Sequence, residues 1–274
     1  MDPRPLLVLF LAQESGPVSR SAPSLPPEVA GIVEKAARAQ FPEGGGDPEV
    51  RDLSLLFEFL VRDEERSNEV SADHAFAAPD RVRTTVKDLV TGVTVTTGTD
   101  GRRYWVRDDK GTTLLEGREN RDARDEIDER VRLSRDLAAV FSVRRLAERL
   151  EGLRRLPDET ADGRPLAVLE GESAAFGPVR RGGVEHVRLR LRIDSGTGDL
   201  SDILATPLSP AGDGPAPETE RFRFYDFLTK DGLRLPRRIT VTIGEAPRPH
   251  YEIGRIRGIR LNPGLPPETF APPR

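Results

Sequence analysis

The chain begins its ordered pattern with a helical period. In LPPEVAGIVEKAARAQF, residues 25–41, Val29, Ile32, Val33, Ala36, Ala37 and Gln40 recur at helical spacing behind prolines suited to a first turn. PEGGGDP stops the run, and from Leu53 the period drops to two. Leu53, Leu55, Phe57, Phe59 and Val61 take one side of a strand, although Leu56 and Leu60 blur the other. Strand-like runs follow over 71–77, 81–88, 92–97, 102–107 and 112–116, separated by APD, TG, TDG and DDKG. These spacers carry turn residues and are short, which makes the neighbouring strands antiparallel.

The helical period then returns. Ile127, Val131, Ser134, Ala138 and Phe141 form one stripe, and Val143, Leu146, Ala147, Leu150 and Leu153 form a second that runs to Pro157. Glu126 with Arg130 and Asp128 with Arg132 are acid-before-base pairs four residues apart on the outward side. The stripes predict two amphipathic helices or one bent helix. Strands resume at 166–172. Next comes VEHVRLRLRID, where Val187, Leu189, Leu191 and Ile193 alternate with His186, Arg188, Arg190, Arg192 and Asp194, the pattern of a strand buried on one face. DLSDILATPL, ERFRFYDFL, LPRRITVTI and YEIGRIRGIRLN supply four more, and the tail PGLPPETFAPPR is too rich in proline to pair. No repeat of solenoid or propeller length is present.

Composition narrows the function more than the fold. Lys+Arg 42 against Asp+Glu 46 leaves a net charge of -4, so no global field holds nucleic acid or an anionic membrane. With no cysteine, disulfides, thiol catalysis and Cys-based zinc sites are excluded. The apolar run Leu6 to Ala12, behind a single Arg, sits at the short end of a signal-peptide core, and the polar, proline-rich stretch 15–27 reads as a linker. These features predict a protein that is exported, to the periplasm or otherwise, whose residues 1–24 are a truncated export signal and linker. No run is long enough to span a membrane.

Candidate chemistry is sparse. His74, His186 and His250 lie in separate strand-like runs, and a metal site needs them to converge. Asp194, Asp199 and Asp202 in DSGTGDLSD have the residue type for a hard cation, but such glycine-rich acidic segments commonly only turn. GGG at 44–46 and RRGG at 180–183 lack the Lys-Ser/Thr of a phosphate loop. No nucleophile elbow is present, and Glu64 and Glu65 sit in a charged turn with nothing to shift their titration. The reading is therefore of a protein with no catalytic residues, no metal and no cofactor.

AAPDRVR at 77–83, TDGRRYWVRDD at 99–109, the helical pair and FYDFLTKDGLRLPRRITV near the end together resemble the outer-membrane lipoprotein carrier (LolA-like) superfamily. The matching positions are Pro79 and Arg83, Asp100, Gly101 and Trp105, and Gly232 and Pro236. The resemblance implies an α+β fold over 25–262. Its core would be a strongly curved antiparallel sheet, an unclosed barrel of about eleven strands, with a helical lid and a proline-rich tail at 263–274. It also implies a carrier of lipid or of lipoprotein acyl chains, or an envelope-sensing domain that uses the same fold with a filled core to bind an envelope protein. Arg83 would then reach the lid, as basic residues on such strands can.

If the apolar faces line a cavity, Leu55, Phe57, Phe59, Val82, Val95, Trp105, Leu189, Leu191, Phe222, Phe224 and Val241 are its candidate walls. Ile127, Val131 and Leu146 come from the lid. Each such residue equally suits ordinary core packing. An acyl chain would contribute ~0.8 kcal/mol per buried methylene. The expected protein is a monomer that binds by enclosure.

Overall fold

The computed structural model describes residues 25–43, 50–62, 67–140, 142–173, 186–208, 219–230, 232–243 and 251–273. Helix α1 spans Pro27–Gln40, α2 Arg121–Val140 and α3 Val143–Glu148. The strands are β1 Asp52–Arg62, β2 Ser67–Ala77, β3 Arg81–Asp88, β4 Thr94–Thr99, β5 Tyr104–Asp108, β6 Gly111–Leu114, β7 Glu151–Ala161, β8 Arg164–Ser173, β9 Val187–Asp194, β10 Leu200–Pro207, β11 Glu220–Lys230, β12 Leu233–Ile243 and β13 Tyr251–Leu261. They order as β6-β5-β4-β3-β2-β1-β13-β12-β11-β10-β9-β8-β7, an antiparallel sheet that is not closed. The fold is α+β as the pattern predicts, with thirteen strands in place of about eleven.

One strand was hidden inside a helical period. The second stripe of the sequence runs through Leu150 and Leu153 to Pro157, yet α3 ends at Glu148 and β7 begins at Glu151. The Asp162-Gly163 turn decides it. Both residues have positive φ, 52° and 73°, which suits the right-handed twist of a tight hairpin, and they fold β7 onto β8. Pro157 is tolerated because β7 is the last strand of the order and has one unpaired edge.

The chain divides into two compact units. Among the described residues, the first comprises 50–138 and 252–273. Its strands β1 to β5 pair in uninterrupted register, so face membership can be read directly. One face carries Leu53, Leu55, Phe57 and Phe59 of β1, Ala72, His74 and Phe76 of β2, Val82, Thr84 and Val86 of β3, Val95, Thr97 and Thr99 of β4, and Tyr104 of β5. The β1 residues alternate buried with partly exposed, as their period requires.

The opposite face of that unit is closed by the tail. Ala75, Ala77, Arg83, Gly98 and Trp105 lie on it, and Phe270 packs fully buried against Ala75 and Ala77 beside the partly buried Leu265. Trp105 Nε1 donates to the Phe270 carbonyl at 3.0 Å, and the Arg81 guanidinium lies 5.5 Å from the centre of the Phe270 ring. Gly98 is a steric requirement, because a Cβ there would stand 2.7 Å from both the indole and the Val82 carbonyl. At the base of the tail the Asp52 carboxylate accepts the Gly264 N–H at 3.0 Å. The segment read as unable to pair does not pair; it docks through the Phe270 ring and two backbone bonds.

The second unit comprises Ala12–Pro48 and Ala139–Tyr251. Pro26 opens α1, its carbonyl accepting the Val29 and Ala30 N–H groups at 2.9 Å, and Val29, Val33, Ala36 and Ala37 are buried. α1 packs on α3, β7 and β12. Gln40 Oε1 accepts the Val143 N–H at 2.8 Å, Arg144 pairs with Glu34, and Ser142 Oγ caps α3 at the Arg145 N–H. These bonds fix the two helices against each other where helix ends leave N–H groups without partners.

Phe270→Ala is expected to cost about 3–5 kcal/mol in urea unfolding, as a buried aromatic deletion does. It should also red-shift the emission of Trp105, the protein's one tryptophan. Unchanged emission with unchanged stability would show that the tail does not cover the indole.

Candidate apolar binding faces

Helix α2 lies on the apolar face of the first unit, held by polar bonds around a small apolar seam. Ile127 and Val131 are its buried apolar residues among those described. Around them, Asp128 accepts the Tyr104 hydroxyl at 2.7 Å, Arg130 donates to Thr97 Oγ1 and pairs with Glu126 at 2.6 Å, and Ser134 meets His74 at 2.9 Å. Burial of the Tyr104 ring and the neighbouring Asp128 charge raise its phenol to about 12.

His74 is buried at 3% exposure and is the centre of this seam. Ser134 Oγ donates to the Arg130 carbonyl at 2.6 Å, so it accepts from His74 Nε2–H. Thr84 Oγ1–H then donates to Nδ1 at 2.9 Å. The resulting chain, Thr84 to His74 to Ser134 to the helix backbone, needs a neutral imidazole. Burial first, and the Arg130 charge second, lower the His74 pKa to about 3.

In the second unit Leu189 and Leu191 of β9, Ile203 and Ala205 of β10, and Phe222 and Phe224 of β11 share one buried face. Val241 pairs with Phe222 in the backbone register; its side chain lies outside the described residues. Leu146 of α3 is buried.

Register therefore groups Leu55, Phe57, Phe59, Val82 and Val95 on one face, beneath the helix that carries Ile127 and Val131. Leu189, Leu191, Phe222 and Phe224 share a face of the second unit. Trp105 and Arg83 are corrected. Gly98 stands opposite both, on the face away from α2, so Trp105 meets the tail and Arg83 pairs with Asp73 at 3.5 Å. Arg83 has no position from which to reach the helix. A period of two assigns residues to alternate sides of one strand, and matching sides between strands needs the register.

The polar candidates resolve into structure. Asp194 accepts the Gly196 and Thr197 N–H groups at 2.8 and 2.9 Å and turns the chain. Asp199 is held by Arg234 at 2.8 Å, and Asp202 by Arg192 at 3.2 Å and Arg221 at 3.1 Å. Each acid carries a basic partner, and among the described residues no group of three or more His, Asp or Glu is arranged to hold a metal. His186 is exposed; His250, Glu64, Glu65, GGG and RRGG lie outside the described residues.

The arginines of the second unit have a place. On the polar face of the second unit, Arg154, Glu170, Arg190, Glu159, Arg192, Asp202 and Arg221 alternate in sign across β7 to β11. Their successive separations are 2.7, 3.1, 3.9, 2.8, 3.2 and 3.1 Å. The signal was present in the sequence, since Glu170 and Asp202 fall where strands neighbouring RLRLR place their own polar positions.

No family model matches the chain, and no curated protein does. Solved structures do. A LolA superfamily protein from Nitrosomonas europaea superposes with a TM-score of 0.50 at 14% identity, covering 88% of this chain and 96% of its own. A DUF1329 family protein from Desulfovibrio piger gives 0.48 at 12% identity over 89% and 97%. A putative outer membrane lipoprotein-sorting protein domain from Vibrio parahaemolyticus gives 0.46 at 11% identity over 88% and 94%. The chain has the LolA-like fold. No helix of the described residues is long and apolar enough to cross a membrane.

Because the folded His74 pKa lies below the unfolded value of 6.5, unfolding takes up a proton between the two. Stability is full above pH 6.5 and is lost as pH falls from there toward 3, by up to about 1.4 kcal/mol per unit. Urea midpoints at pH 7 and pH 5 should differ accordingly, and His74→Gln should flatten that dependence.

Proposed function

We propose that this protein is an exported, non-enzymatic, carrier-like protein that binds an acyl chain of a lipid or lipoprotein against the apolar face under α2. The observation that carries the reading is how that helix is held. Water can replace the bonds of Arg130, Asp128 and Ser134 when the helix lifts, whereas the described apolar seam is two side chains. Exposing Ile127 and Val131 costs roughly 3–6 kcal/mol, and about eight methylenes at ~0.8 kcal/mol each offset that. Leu55, Phe57, Phe59, Val82 and Val95 form the proposed wall, and Leu189, Leu191, Phe222 and Phe224 a corresponding surface in the second unit. The LolA-like fold supports the reading, as does the apolar run Leu6 to Ala12 for export.

A second reading, a filled-core domain that binds an envelope protein, is favoured by the tight packing of the same residues. Leu189 and Leu191 are 0% exposed, which leaves no room for even a water beside them. The carrier therefore has to open before it loads.

Native mass spectrometry of freshly purified protein, followed by organic extraction, separates the two. A co-purified acyl species is the expected result, and a clean unliganded mass under gentle conditions supports the interaction role. Ser134→Ala, which leaves His74 Nε2–H without its acceptor, should speed uptake of a fluorescent fatty acid ~10-fold. Trp105 emission should stay unchanged on loading, since the indole is on the other face.

A further inference from the structure

The start of β7 makes a second kind of pocket. Between Glu151 and Arg154 the β7–β8 register slips, so that strand β7 carries an extra residue there. Gly152 takes φ 60° at the slip and has nothing within 4 Å of where a Cβ would stand. The opening is a pocket of about 330 Å³ lined by charged groups, among them Glu151, Arg154, Glu170, Glu172 and Arg188.

Its charges are not all neutralised by one another. Glu170 is satisfied, taken by Arg154 at 2.7 Å and Arg190 at 3.1 Å, which together hold its carboxyl below the ordinary range despite burial. Glu172 has one long contact, 3.4 Å to Arg188, with both side chains nearly half exposed. Glu151 stands directly across from Glu172 in the ladder and, among the described residues, takes part in no ion pair. Two carboxylates facing each other across an antiparallel pair repel. Opposed residues of an antiparallel pair have Cβ atoms about 5 Å apart, which lets both carboxylates reach one ammonium.

A bare divalent cation suits this place poorly, because the guanidinium groups of Arg154 and Arg188 share the lining. The same two groups suit an anion one short linker away from the ammonium.

We infer that the pocket at the β7 slip binds a small zwitterion. Its primary ammonium sits between Glu151 and Glu172, and its phosphate or carboxylate meets Arg154 and Arg188. The site lies on the face of β8 and β9 opposite Leu169, Leu189 and Leu191, and it does not rest on the acyl reading. Two sources carry this chemistry, a free phosphorylated or carboxylated amine and an amine-bearing lipid headgroup.

Titration calorimetry on the full chain tests it with O-phosphoethanolamine, ethanolamine, inorganic phosphate and soluble dihexanoyl phosphatidylethanolamine. Phosphoethanolamine should bind at least ~10-fold more tightly than ethanolamine or phosphate alone, since each loses one charge-assisted partner set. Glu151→Gln with Glu172→Gln should lose ~10-fold for phosphoethanolamine and nothing for phosphate. Thermal melting of the double variant checks the fold, and Arg188→Gln, which keeps both acids, should weaken phosphoethanolamine separately. Stronger binding of the short-chain lipid assigns the site to a headgroup, and stronger binding of the free amine assigns it to a metabolite; either supports the zwitterion. No heat at millimolar ligand, phosphate binding as tight as phosphoethanolamine, or an unaffected double variant overturns it.

Discussion

A strand has two faces, and a helix can cover one of them. That constraint governs each unit of this protein. In the first unit α2 takes the face of Leu55, Phe57 and His74, so Trp105 on the other side needs a cover of its own and receives Phe270. In the second, the face opposite Leu189 and Leu191 is closed by charge, with arginines and acids alternating from strand to strand. An exposed ion pair contributes little, but a network that shares each partner holds long side chains down over the backbone and keeps it from water. The two solutions differ in chemistry and answer the same geometric demand.

The same constraint explains why helix α2 is docked through polar atoms. Its face on the sheet includes Thr97, Thr84, His74 and Tyr104 among the apolar residues, and the helix supplies Arg130, Ser134 and Asp128 to meet them. Every one of those groups is matched, which is the condition for a polar seam to specify a position instead of weakening it. A histidine kept neutral by burial is then a structural member.

Much of this was legible in the order of residues. The period-two run from Leu53, the LRLR alternation of β9 and the helical spacing of α1 stand where the pattern puts them. The Glu126–Arg130 pair forms, but Arg130 and Asp128 turn to Thr97 and Tyr104 on the sheet and not outward as their polarity suggests. Two things were not legible. Leu150 and Leu153 continue a helical stripe by coincidence of spacing, and what overrides it is the hairpin turn at Asp162-Gly163, which stabilises the strand only once β8 is present to pair. The side of the sheet on which Trp105 falls depends on a register through Gly98, and alternation along a single strand carries no information about its neighbour. The candidate wall residues are mostly buried because burial follows hydrophobicity; their grouping by face needed the ladder.

The tail gives one composition a different meaning. Pro263, Pro266, Pro267, Pro272 and Pro273 surround Phe270, a density usually taken as a mark of disorder. Each ring locks a torsion before the segment touches anything, so the free strap samples few shapes and surrenders little freedom when it lands. A sequence with flexible residues in those places would surrender more freedom to make the same contacts; stiffness lets one ring and a few backbone bonds keep the strap seated.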